Sequence, residues 1–112
     1  MAVYVSNIAI PGGTDFQQTF YLESVSNTPL NLNGYTGYAQ LKKSSASLNS
    51  SAAFTVSFPN PSQGLVKISL GSSITSTLRP GRYCYDILLE GGGTKTRVVE
   101  GSALVTAGIT IA

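Results

Sequence analysis

Apolar and polar side chains alternate with a period of two through most of this chain. The pattern is strongest at residues 83–90, where Tyr83, Tyr85, Ile87 and Leu89 share one face and Cys84, Asp86, Leu88 and Glu90 share the other. That is the signature of a strand with one buried side. Pro80-Gly81 precedes the run as a turn, with proline fixing φ and glycine free to take a positive φ. Gly91-Gly92-Gly93 follows as a hairpin signal, and residues 94–99 return as a second strand. Residues 78–99 are therefore predicted to form the central hairpin of a β-sheet protein.

The same alternation places the other elements. Residues 3–10 predict a first strand, ended by Pro11-Gly12-Gly13. Residues 15–22 predict a second, with Phe16, Gln18, Phe20 and Leu22 inward. Asn33-Gly34 marks a turn into a third strand at 35–42, with Tyr35, Gly37, Ala39 and Leu41 opposite Thr36, Tyr38 and Gln40. The Ser-rich stretch 44–51 reads as a loop, residues 53–58 as a fourth strand, and residues 65–70 as a fifth with Val66, Ile68 and Leu70 buried. Residues 73–78 predict one helical turn with Ile74 and Leu78 on the same side. Glu100-Gly101 interrupts the long last segment, 95–105, and predicts a bulge there.

About seven short strands separated by Gly, Pro and Asn turns predict an all-β fold: an antiparallel immunoglobulin-like β-sandwich, with a small closed barrel as the second reading. The run Leu78-x-Pro80-Gly81-x-Tyr83 has the form of a tyrosine corner, in which the phenol hydroxyl bonds back to the backbone just before the strand.

Composition narrows the function. A chain of 112 residues predicts a single domain over 1–112. Only 11% of residues are charged, against roughly 25% in ordinary soluble domains. Such a surface of Ser, Thr, Asn, Gln and Gly repels neighbours weakly and suits dense packing beside other subunits, and it is equally common in loop-rich β proteins generally. The seven basic residues are scattered, with only Lys42-Lys43 adjacent, so no phosphate-binding surface is predicted and no nucleic-acid partner is expected. No run approaches the ~20 apolar residues of a membrane span. One cysteine, Cys84, rules out an internal disulfide, and residues 1–4 carry no basic leader, so folding in a reducing cytoplasm is expected.

The chemistry on offer is sparse. Without histidine, neither a Ser-His-Asp nor a Cys-His arrangement can be built, and a zinc site has too few soft ligands. Asp86 and Glu90 share a strand face but stand roughly 13 Å apart at the usual rise, so pairing with Arg97 or Arg82 is the expected role. The glycine runs lack the Lys-Ser/Thr of a phosphate loop. No catalytic residue, metal site or cofactor is predicted, and Cys84 reads as an inert strand residue. Of six tyrosines, Tyr83 and Tyr85 are assigned to the core, whereas Tyr21 and Tyr38 fall opposite the core faces and are candidates for an interface.

Four pieces taken together resemble a known family: Asp15-Phe16 with Phe20; Pro29-Leu30-Asn31-Leu32-Asn33-Gly34-Tyr35; Leu78-Arg79-Pro80-Gly81-Arg82-Tyr83-x-Tyr85-Asp86; and Arg97-Val98-Val99-Glu100-Gly101. From about Val5 to Val105 the chain is similar to the small immunoglobulin-like β-sandwich virion proteins of tailed bacteriophages, cyanophages among them. In longer phage proteins a similar module stands at the N-terminus of baseplate or fibre subunits. The resemblance implies a non-enzymatic structural protein of the virion, assembled in the host cytoplasm. Its implied partners are other virion proteins (the major capsid protein, or tail and baseplate proteins) and further copies of itself as a homo-oligomer. Because this chain ends soon after the module, with nothing to form a shaft or tip, the leading expectation is a capsid decoration or cement protein. A baseplate, neck or tail adaptor comes second, and a carbohydrate-binding module using Tyr21 and Tyr38 third. Inter-subunit contact is expected from segment 1–10 and tail 107–112, with Tyr4, Tyr21, Tyr38, Ile109 and Ile111 as interface residues.

Overall fold

The computed structural model describes residues 4–23, 28–43 and 52–108. In chain order the elements are β1 (Tyr4–Val5), β2 (Ile8–Pro11), β3 (Phe16–Tyr21), β4 (Thr36–Lys42), β5 (Ala52–Ser57), β6 (Leu65–Leu70), a short helix α1 (Ser72–Thr75), β7 (Gly81–Gly91) and β8 (Thr94–Thr106). A single 3₁₀ turn, Pro61–Gln63, leads into β6. The expected loop at 44–51 and the apolar tail at 109–112 lie outside the described residues.

The strands form the two layers of an immunoglobulin-like sandwich. One layer carries β1 and β2 on β8, then β7, β4 and the first half of β5; the other carries the second half of β5, then β6 and β3. β5 joins them, because Ala52–Phe54 face β4 across the ladder while Thr55–Ser57 face β6. A strand that changes sheets in this way makes a corner of the sandwich. All pairs are antiparallel except β1 and β2, which run parallel to β8.

The core lies between the layers. Ile10, Leu41, Val66, Ile68, Ile87, Leu89, Val99 and Val105 are fully buried, and the predicted inward faces of β4, β6 and β7 all point here. An aromatic chain spans the gap: the Phe16 and Phe54 rings lie 6.1 Å apart and the Phe54 and Tyr85 rings meet edge-on at 6.2 Å. Such tilted contacts suit the charge distribution of the rings better than face-to-face stacking. Tyr83, also buried, donates its hydroxyl to the Arg79 carbonyl at 2.8 Å, which makes the expected tyrosine corner.

Three local expectations change. The bulge is at Val98, not at Glu100-Gly101: Ile87 faces Val99 and Leu88 faces Arg97, so Val98 is the extra residue. Both valines are buried, and a bulge is what lets two consecutive apolar residues turn to the same side. Gly101 serves a different need. A Cβ there would overlap the Ser6 carbonyl, which turns in against β8 at the step between β1 and β2. In α1, Thr75 points inward and Ile74 outward, while Leu78 beyond the helix is buried, so Ile74 and Leu78 do not share a side. The Thr75 hydroxyl explains the difference: it donates to the Thr14 carbonyl at 2.7 Å and accepts from the Gly13 N–H at 3.1 Å, tying α1 to the turn after β2.

The first strand also breaks in two. The Ser6 N–H donates to the Glu100 carbonyl at 2.9 Å, and the Asn7 side-chain oxygen accepts from both the N–H and the hydroxyl of Ser102 at 3.1 Å. Ile8 and Ile10 beyond the break fill this chain's own core, whereas Val5 and Ala9 are exposed.

Candidate interface

The outward face of the β1–β8–β7–β4 layer gathers most of the chain's distinctive surface. Strand pairing sets its rows: Thr36, Glu90 and Lys95; then Tyr38, Leu88 and Arg97; then Gln40, Asp86, Glu100 and Val5; then Lys42, Cys84 and Ser102; then Arg82 and Leu104. Residues opposite one another on a sheet share a face, so these rows follow from the register alone. Val5 is 76% exposed, Tyr38 49% and Leu104 44%, and Leu88 is half-buried among them.

Charge on this face is mixed. Asp86 and Glu100 stand directly opposite each other, a like-charge pair that destabilises a ladder. Arg97 relieves it, donating from Nε to Asp86 Oδ2 at 2.9 Å, which is the pairing expected from the alternation. Both side chains are well exposed, so the pair orders the face more than it stabilises the fold. The Tyr38 hydroxyl donates to Glu90 Oε1 at 3.3 Å, which holds the ring across the strand. Asp86, Arg97 and Glu100, with Val5, Gln40, Lys42 and Cys84, line a shallow concavity of about 590 Å³.

Beneath the step between β1 and β2, the buried Tyr85 hydroxyl donates to the Ser6 carbonyl at 2.6 Å. Burial pushes the Tyr85 phenol above its ordinary value of 10.0. Among the described residues no group of three or more His, Cys, Asp or Glu is placed to hold a metal ion. No helix there is long and apolar enough to cross a membrane.

The residues singled out from the sequence are not brought together. Tyr38 lies on the face just described. Tyr21 is also exposed, but on the outer side of β3 in the opposite layer, paired with Leu65. One flat partner cannot cover both, which removes the geometric basis for a shared sugar platform. Tyr4 pairs through its backbone with Val99, and its side chain, like Ile109 and Ile111, lies outside the described residues. Sequence reasoning missed Leu88 and Leu104, although their position opposite the buried parity of β7 and β8 was the available signal.

No protein-family model and no curated protein sequence matches this chain. Among solved structures, it shares its fold with the N-terminal domain of phage TP901-1 ORF48. That likeness has a TM-score of 0.53 at 13% identity and covers 89% of this chain and 84% of that one. The Lin-41 filamin domain aligns over the same shares at 15% identity, with a TM-score of 0.47.

Proposed function

We propose that this protein is a non-enzymatic structural module of a bacteriophage virion, docking onto another virion protein through the outward face of β1, β8, β7 and β4. The observation that carries the reading is the fold shared along nearly the whole chain with a phage protein domain. The face supports it: exposed Val5, Tyr38 and Leu104 lie around the central charges Asp86, Glu100 and Arg97, so apolar and aromatic anchors share one surface with charges of both signs. Of the two acids in the concavity, Asp86 is held in the ion pair with Arg97.

Within the virion we favour an adaptor in the baseplate, neck or tail. The phage domain of like fold is the N-terminal part of its protein, the position that a module attached to a further domain occupies. Decoration of the capsid exterior is the second reading, favoured by the sparse charge of the surface. Mass spectrometry of purified particles tests the virion assignment, and absence of the chain from them refutes it. Gold-labelled antibody in negative stain separates the two sites: label on the tail supports the adaptor, and label on the head supports decoration. Particles lacking the chain yet equally heat-resistant would remove the cement role.

A further inference from the structure

The second layer ends on β3, which pairs on one side only, with β6, among the described residues. In the β3–β6 ladder the Leu22 N–H bonds to the Gly64 carbonyl at 2.8 Å, just past the paired residues Tyr21 and Leu65. Hydrogen-bonded and non-bonded pairs alternate along an antiparallel ladder. Phe16, Gln18 and Phe20 therefore direct their amides at β6, whereas Gln17 and Thr19 direct theirs at the open edge. No described residue pairs with that edge, and Gln17, Gln18 and Thr19 make no hydrogen bond beyond the β6 ladder. Proteins ordinarily blunt such an edge with lysine, proline, a bulge or extreme shortness. The opposite margin of the sandwich has those devices, being split at Ser6-Asn7 and ended by Pro11. The six residues Phe-Gln-Gln-Thr-Phe-Tyr of β3 have none of them.

We infer that β3 pairs antiparallel with β3 of a second copy, about a two-fold axis at Gln18. A two-fold axis normal to the sheet keeps inward residues inward, so residues of equal parity must meet. Centred on Gln18, the register sets Gln17 against the partner's Thr19, each with its amides at the edge. It sets Phe16 against the partner's Phe20, which in one copy is only partly covered. Gln18 is the one polar residue on the inward parity of β3 and is exposed. At the axis it meets its own equivalent, and an amide is both donor and acceptor, so the two satisfy each other. No like charges are opposed: the strand is uncharged, and Asp15, whose Oδ1 accepts the Ser72 N–H at 2.8 Å, falls opposite the partner's Tyr21. This pairing is independent of the virion reading.

Sedimentation velocity across a concentration series tests it, with circular dichroism as the check on folding. Wild type is expected to show a reversible dimer. Thr19→Pro removes an N–H that points away from β6, so the fold is expected to persist and the dimer to be lost. Gln18→Lys and Gln18→Glu each place like charges on the axis, and each is expected to weaken dimerisation roughly tenfold. An equimolar mixture of the two is expected to restore it, because only a symmetric contact opposes position 18 to itself. Monomeric wild type at the highest soluble concentration overturns the inference, as does a dimer that survives Thr19→Pro or a mixture that fails to recover. Monomeric wild type that binds a different virion protein through this edge would assign the site to that protein and equally overturn it.

Discussion

Tyr83→Phe isolates the tyrosine corner. The ring is buried in the core and Phe preserves it, including its place beneath the Lys43 ammonium, 4.9 Å from the ring centroid. What is lost is one hydrogen bond, from the hydroxyl to the Arg79 carbonyl at 2.8 Å. Arg79 sits on an exposed turn, so water can reach its carbonyl once the hydroxyl is gone and no acceptor is left buried and unpaired. The expected cost is therefore the net value of a neutral hydrogen bond, about 1 kcal/mol, and not the larger penalty of a stranded group. With a urea slope of about 2 kcal/mol/M for a domain of this size, the unfolding midpoint should fall by about 0.5 M at unchanged slope. The melting temperature should fall by about 4 °C. Lys43→Ala is the control for the cation–π contact and should move the midpoint less, because the ammonium is exposed. An unmoved midpoint in Tyr83→Phe would refute the view that the hydroxyl fastens the turn to β7. A loss above about 3 kcal/mol would refute the solvation argument, since it would require a buried orphan carbonyl.

Two further substitutions probe the step between β1 and β2 along the edge of β8. Gly101→Ala places a Cβ on the Ser6 carbonyl and should cost roughly 1–3 kcal/mol as overpacking; hydrogen exchange should show the Ser6 amide losing protection first, and a fully stable variant would count against the close approach. Tyr85 supplies a pH test. Its phenol is raised by burial, so the folded state holds the proton more tightly than the unfolded chain, and the stability this confers is complete below the unfolded value of 10.0 and lost as pH climbs through the folded one. Urea midpoints of wild type should decline above that pH more steeply than those of Tyr85→Phe, and parallel curves would reject the assignment.

The alternation of single strands carried most of the fold. Val66, Ile68 and Leu70, like Tyr83, Tyr85, Ile87 and Leu89, are buried at the parity the sequence predicts. The tyrosine corner was equally legible, because its partner lies four residues away. What failed depends on distant pieces of chain. Gly101 reads as a bulge until the Ser6 carbonyl is seen turned against it, a contact between residues 95 positions apart. Thr75 displaces Ile74 from the interior because its hydroxyl meets Thr14 and Gly13 across more than 60 positions. The interface followed the same division. Parity correctly turned Tyr21 and Tyr38 outward, but only the β5 corner puts them on opposite sides of the sandwich.

The two surfaces proposed for this protein are compatible in one assembly, and their geometry bears on how it would bind. The docking face belongs to the β1–β8–β7–β4 layer, while the self-pairing edge belongs to the β6–β3 layer, so neither contact blocks the other. A two-fold axis normal to the second layer leaves both copies' first layers on the same side of the merged sheet. Both docking faces then look toward one partner surface. A weak contact from one face becomes two tethered contacts, and tethering alone raises apparent affinity by roughly 10²–10⁴ where the partner presents repeated sites. Virion shells and tails are built from repeated subunits. A module with few charges and small exposed anchors therefore does not need a strong single interface, provided that β3 supplies the second copy.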